Sequence, residues 1–313
     1  MDVVCLGIVV ADVICRRVDE LPTRGTLGLV EQIELRGGGC ALTTASALAR
    51  LGLRASVAGK VGVDRFGDFL GELLDERGVD RRTLLRDPDV PTSATVVLVA
   101  SDGTRTFLHL AGANGALRAE ELDSERLYAG RALHAAGQLV MPSLDGEPFA
   151  ALLAEAQRRG LITSMDTVFD ASGRWERVLP SLPYVDLFTP ALAEARGITG
   201  EDDPARAAAW LRRRGVGAVA ITLGSDGCYA SGPGFEGHVT APAVSEVDGT
   251  GSGDAFAAGL LYATLVGWSF GRGVRFACAA GALATTAVGA YEGVRGVAET
   301  LALAGDDSSH GPG

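Results

Sequence analysis

Between Asp248 and Asp254 the chain reads Asp-Gly-Thr-Gly-Ser-Gly-Asp, three glycines and two hydroxyls set between two carboxylates. Behind it, Ala255 to Leu265 runs in alanine, leucine and phenylalanine with Gly259 as its one breaker, the composition of a buried helix. The glycines therefore fall at a helix N-terminus. Unpaired amides and the positive end of the macrodipole attract an anion there, and glycine lets that anion approach the backbone. Asp254 is repelled by such an anion, so its carboxylate has work other than binding it. An ordinary strand-to-helix turn with an acidic first-turn residue leaves a similar trace. The run is not a nucleotide-binding loop of the Lys-Ser/Thr type, since no such pair follows. A dinucleotide fingerprint belongs in a first βα unit, whereas this run lies near residue 250.

Other residues carry chemistry less openly. Asp12 sits in the apolar stretch GIVVADVI, and a buried charge needs partners, whether an arginine, backbone amides or ligand hydroxyls. Asp166 and Asp170 in SMDTVFD follow a strand and face either a cleft or a helix cap. Thr222, Gly224 and Gly227 lie in TLGSDG, at a strand exit whose hydroxyl and amides suit a phosphate.

Short β-branched runs alternate with longer helical patterns and must position these groups. VVCLGIVV reads as a strand, CALTTASALARLG as a helix capped by Gly52, and RASVAGKVG as a strand. DRFGDFLGELLDERG is an amphipathic helix with Phe66, Phe69, Leu70, Leu73 and Leu74 on one face. The alternation resumes from RALHAAG and continues past the 248–254 turn to GVRFACAAGALATTAVG, with HVTAPAVSEV read as a strand ending ahead of the turn. Strand and helix repeated this way predict a mostly parallel sheet covered on both faces. Two stretches, 18–38 and 92–112, alternate apolar and polar residues instead, the second with an Asp-Gly hairpin turn at 102–103. Strands without helices between them predict a small separate sheet, a flap over the carboxyl edge of the main one.

The 313 residues carry a net charge of −11 and no basic cluster beyond Arg212–Arg214, which argues against nucleic acid as a partner. At 47% hydrophobic they suffice for one large α/β domain. The five cysteines show no CxxC spacing, the pattern of reduced thiols. The apolar N-terminal run is shorter than a membrane span and lacks a basic start. A soluble, cytoplasmic protein with no membrane partner is expected.

VDGTGSGDAF resembles the second signature of the ribokinase-like (PfkB) carbohydrate kinases. Asp248, Thr250, Gly251, Gly253, Asp254 and Phe256 match its positions, with Ser252 and Gly249 where alanine and threonine are usual. GGGCALTTASALARLG (37–52), GKVGVDRFGDFL (59–70), GTRTFLHLAGAN (103–114) and TLGSDG (222–227) resemble further family elements in order. The resemblance implies a three-layer αβα sandwich with a mostly parallel central sheet over residues 1–304. It also implies a lid of strands from about 13–36 and 92–112, while the polar run GDDSSHGPG at 305–313 reads as a disordered tail.

It further implies ATP-dependent phosphorylation of a hydroxymethyl group on a small sugar or polyol. Asp254 would be the general base, with the amides of Gly251, Ser252 and Gly253 receiving the charge on the transferring phosphoryl. Asp12, Gly38, Gly39, Asn114 and Asp166 would meet the substrate, though a turn residue is an equal reading of Asn114. Thr222, Gly224, Gly227, Gly251 and Cys278 would line the nucleotide site. Glu194 would hold Mg2+ through water, and Asp248 with the 284–293 loop corresponds to a monovalent-cation site for K+. A second subunit's lid is a candidate partner, giving a homodimer.

Three departures from the family stand out. Leu42 replaces a sugar-contacting asparagine, Ala191 replaces the asparagine of the magnesium motif, and Cys278 stands where an asparagine near adenine is common. The rival readings are a nucleoside kinase, which needs an aromatic pocket that 6% aromatics supply sparsely, and a non-catalytic sugar or nucleotide sensor, which has no need of Asp254.

Overall fold

The computed structural model describes residues 1–305; the tail expected at 305–313 lies outside the described residues from 306 on. The chain opens with β1 (Val3–Gly7), β2 (Val10–Arg16), β3 (Gln32–Gly38), β4 (Ala55–Gly62) and β5 (Asp80–Asp87). It continues with β6 (Ala94–Val99), β7 (Arg105–Leu110), β8 (Ala132–Gln138) and β9 (Ile162–Thr167). Last come β10 (Leu187–Phe188), β11 (Ala218–Thr222), β12 (Cys228–Gly232) and β13 (Phe235–Val239). Nine of these form one sheet in the order β13-β12-β11-β10-β9-β8-β1-β4-β5, parallel except for the antiparallel edge strands β12 and β13.

Alternation along the strands feeds two apolar layers. Val4, Leu6, Leu133 and Ala135 join Phe149, Leu153, Ala207 and Leu211 on one face. Val3, Cys5, Ala132 and Ala136 join Leu42, Leu48, Leu70 and Leu261 on the other. Helices thus cover both faces, as the near-continuous apolar strands require. The architecture is a three-layer αβα sandwich. No described helix is long and apolar enough to cross a membrane.

The remaining strands form a second, four-stranded sheet, β3-β2-β6-β7. The 17–31 segment, read as part of an alternating strand, joins β2 to β3 without regular structure and exposes Leu21, Leu27 and Leu29. The stretch read as a single strand, VVCLGIVV, is broken after Gly7. The chain passes so close to β8 that a Cβ on Gly7 would collide with the Ala136 carbonyl, and it then leaves the main sheet for the lid. Asp12 consequently belongs to the lid, paired with Arg36 on β3 and Thr95 on β6. HVTAPAVSEV is likewise corrected: β13 ends at Val239, and residues 240–247 approach the glycine turn without a ladder.

Candidate active site

The helix Ser252–Leu265 begins after Gly251, whose φ of 76° is left-handed and whose position against Ala290 leaves no room for a Cβ. Among the described residues the amides of Gly251, Gly253 and Asp254 take no backbone partner, whereas Ser252 donates both its amide (3.3 Å) and its hydroxyl (2.9 Å) to the Gly249 carbonyl. Ser252 therefore closes the turn, a correction to its expected place among the anion donors. The space beyond Gly253, where a side chain would project, is open. It faces a cleft of 440 Å³ whose walls join Gly249, Ser252, Gly253 and Phe256 to Thr222, Gly224, Gly227 and Cys278. The glycine turn and the β11 exit thus share one nucleotide-sized space. Gly227, at a φ of 93°, has no room for a Cβ beside the Val239 carbonyl. Cys278 places its sulfur 3.6 Å from that of Cys228, as a compact wall.

Asp254 is half-buried at the start of this helix. Its carboxylate, that of Asp166 and the Cys40 sulfur lie within 4.8 Å of one another, close enough to share a cation. Burial pushes the Asp254 carboxyl well above the usual range, the charge of Asp166 pushes it further, and a hydrogen bond from Cys40 partly opposes both. Asp166, at the end of β9, accepts from the Gly137 amide, and its other oxygen stands 3.7 Å from Nε2 of the buried His134. That nitrogen has no hydrogen-bond partner, while Nδ1 meets Ser164 at 3.1 Å. A chain of titratable groups thus runs inward from Asp254. Asp170 is not part of it, since its carboxylate caps the turn at Ser172 and Arg174.

The second sheet carries a further row of polar groups. Burial raises the Asp12 carboxyl to about 6, with a hydrogen bond from Thr95 acting against it, and Thr95 in turn bonds His109 at 3.1 Å. Arg36, Asp12, Thr95 and His109 form one cross-strand row, and Phe107 and Arg105 project from the same face of β7. A Cβ on Gly38 would strike the Asp12 carboxylate, and Gly39, at a φ of 89°, starts the helix Cys40–Arg50. Asn114 is corrected from substrate contact to support. It is buried, with Oδ1 accepting from the Val9 amide (3.1 Å) and Nδ2 donating to the Val9 carbonyl (3.0 Å), and so it fixes the crossover into the lid. Leu42 is fully buried in the core beside Gly37 and Leu73. The pocket has lost a polar group there and gained no exposed apolar wall.

Glu194 lies across the sheet edge, its Oε2 accepting from the Ala191 amide (2.9 Å) and the Thr167 hydroxyl (2.8 Å). Burial pushes its carboxyl up to about 7. The Ala191 replacement leaves the backbone amide in place, so Glu194 stays anchored. A buried acid met by two neutral donors, with Asp166 nearby, fits a dication. Asp248 is different: Thr250, Gly289 and Arg105 all donate to it.

Sequence reasoning had passed over Cys40, Thr95, Arg105, His109 and His134. The first follows directly on Gly39, and a strict reading of the period-two lid register would have put three of the others on the face of Asp12.

A family model described as pfkB family carbohydrate kinase matches residues 1–295. A fructokinase of Vibrio alginolyticus is 28% identical over 284 residues, covering 86% of this chain and 91% of the relative. A ribokinase of Arabidopsis thaliana complexed with ribose and ATP superposes with a TM-score of 0.84 at 24% identity, over 97% of this chain and 98% of that one. A structure described as a ribokinase II from E. coli in complex with ATP and Mg2+ gives 0.84 at 24%, over 96% and 98%. At such identities the superpositions speak for the fold.

Proposed function

The chain belongs to the pfkB family of carbohydrate kinases, ATP-dependent phosphotransferases acting on sugars or nucleosides, and from that premise we propose that it phosphorylates a hydroxymethyl group of a small sugar or polyol, with Asp254 as base. One observation carries the reading: Asp254 follows directly on Gly253, whose amide has no backbone partner among the described residues and which lines the cleft shared with the nucleotide turn.

An alcohol is a poor nucleophile until its proton is taken, and a half-buried carboxylate with a raised pKa is suited to take it. Asp166, oriented by the Gly137 amide, lies beside Asp254 and its charge keeps that pKa high. The amides of Gly251 and Gly253 are fixed donors for charge growing on the transferring phosphoryl oxygens. Asp12, with Thr95 and His109 behind it, accepts from the sugar hydroxyls and so orients the acceptor. Thr222, Gly224 and Gly227 hold the nucleotide across the cleft. Glu194 would hold Mg2+ through water, and the ion would neutralise the polyphosphate charge that an acidic protein cannot.

The polar row behind Asp12 favours a sugar, while the half-exposed Phe107 on the same lid face gives the nucleoside reading its one specific support. The apolar outer face of the lid supports a homodimer. An ADP-release screen over hexoses, pentoses, ketoses, acidic and deoxy sugars, inositols and nucleosides tests the reading. Turnover on a free sugar or polyol is expected, and turnover on nucleosides alone would replace it.

A further inference from the structure

Two of the five cysteines meet behind the wall of the nucleotide cleft. Cys228 opens β12 and Cys278 lies in the helix Phe270–Ala284, 50 positions on, yet their sulfurs are 3.6 Å apart. Both are free thiols. They share one small apolar cluster with Ala220, Ala230 and Ala277, whose methyl side chains leave the sulfurs as its reactive groups.

The two thiols are not equivalent. Cys228 is fully buried, whereas Cys278 also lines the cleft, with Gly281, Ala282 and Thr285 following it along the chain. A hydrogen bond from Cys228 holds the Cys278 thiol below its ordinary range against the effect of burial. That same bond, with burial added, pushes the Cys228 thiol up. Thiolate is the nucleophile in cysteine chemistry, so the reactive sulfur is the one at the cleft. Its partner stands behind it, where a resolving thiol is needed. Burial pushes the Cys5 and Cys40 thiols well up, away from the reactive form.

We propose that Cys228 and Cys278 form a reversible disulfide when hydrogen peroxide enters the cleft, and that this bond weakens the cleft's hold on nucleotide. The Cys278 thiolate attacks one peroxide oxygen, the O–O bond breaks and hydroxide leaves, giving a sulfenic acid. The Cys228 sulfur then attacks that of Cys278, the S–O bond breaks, and water departs with the Cys228 proton. Two thiols thereby lose two electrons, and one peroxide is reduced to two waters. Sulfurs in a disulfide stand about 2.05 Å apart, so closure draws these two together by about 1.5 Å. The Cys278 sulfur leaves the cleft wall, and the helix end that shapes that wall is drawn after it. Bound nucleotide would cover Cys278 and shield it, a consequence that rests on the kinase reading above.

The test exposes the protein to hydrogen peroxide with and without ATP, stops the reaction with catalase, then unfolds the chain and alkylates its remaining thiols. Mass spectrometry should show wild type falling from five alkylated cysteines to three, with one peptide joining 228 to 278. Dithiothreitol should restore all of them, and ATP should slow the loss several-fold. Cys228→Ala should stop at a Cys278 sulfenic acid that dimedone captures, and Cys278→Ser should keep its four remaining thiols. By titration calorimetry, ATP affinity of oxidised wild type should fall several-fold and recover on reduction, while peroxide leaves that of Cys278→Ser unchanged. A wild type that keeps every thiol, or a joined peptide linking other cysteines, overturns the proposal. A disulfide that leaves ATP affinity unchanged overturns its coupling to the cleft. If the reduced protein binds no ATP, the kinase reading fails, while the thiol count and the joined peptide still decide the disulfide.

Discussion

At the scale of single residues the site rests on two acids, both raised by burial and each opposed by one hydrogen bond. Asp254 is raised by burial and by Asp166, and Asp254→Asn keeps its size while losing the ability to take a proton. Its kcat should fall by about 100-fold or more, with sugar and ATP affinities within a few-fold by titration calorimetry. Near-normal turnover would reduce Asp254 to a helix-start residue. Asp12 sits at about 6 because of burial, with Thr95 opposing. Sugar hydroxyls donate to the ionised form, so affinity should be full above that value and fall as pH drops through it. The free protein runs the other way. A buried carboxyl with a raised pKa gives stability that is present below its unfolded value of about 4 and lost as pH rises through about 6. Calorimetric titration of sugar on the Asp254→Asn enzyme, across that interval, should show the affinity step, and Asp12→Asn should abolish it. A step that persists without Asp12 would assign it to another group.

At the scale of elements, the glycine turn shows how differently two neighbouring glycines are constrained. Gly251 is left-handed and its Cβ direction is closed by the Ala290 backbone, which cannot rotate away. Gly251→Ala should cost about 1–3 kcal/mol in thermal or denaturant unfolding and abolish turnover together. Gly253 faces open space, so Gly253→Ala should stay within about 0.5 kcal/mol of wild type while still losing rate, because the methyl group fills the anion's place. Equal destabilisation of the two would mean that the turn is not preformed. The turn was legible because its glycines, hydroxyls and carboxylate stand in order with the other family-like elements, and the long helices because their apolar faces and caps agree. β5 was not, since Asp80–Asp87 is mostly polar at an edge and leaves no apolar period. The β12–β13 hairpin was missed for its small residues. Ser252 and Asn114 look from their types like ligand-facing donors, and only the carbonyl and amide they meet in space show that they hold backbone. Arg105 reads in sequence as one more solvated charge on an alternating strand, and nothing local marks its partner 143 residues away at Asp248.

At the scale of the whole molecule, the lid has two unlike faces. One carries Asp12, Thr95, His109 and Arg105 over the site. By the same register the other carries Val13, Leu35, Val96 and Leu108 in one cross-strand row and Cys15, Ile33 and Leu98 in the next. Leu35 is 39% exposed, Ile33 65% and Leu108 59%. A four-stranded open sheet with a wet apolar face is poorly stable alone, and a net charge of −11 spread over 313 residues is screened beyond about 10 Å at ordinary salt. Two lids pairing face to face would cover this surface and steady the strands that carry Asp12 and Arg105. Leu108→Asp puts an unpaired charge in the middle of that face without touching the cleft row or the main sheet. Sedimentation should show a dimer for wild type and a monomer for the variant, with the main unfolding transition kept because both core layers lie in the sandwich. The variant's sugar KM should rise several-fold, since a lid freed from its partner must be ordered at the expense of substrate binding, while ATP affinity changes little. A wild type that sediments as a monomer at every concentration would leave the lid's outer face without this role. A variant that dissociates while keeping its sugar KM would separate assembly from recognition.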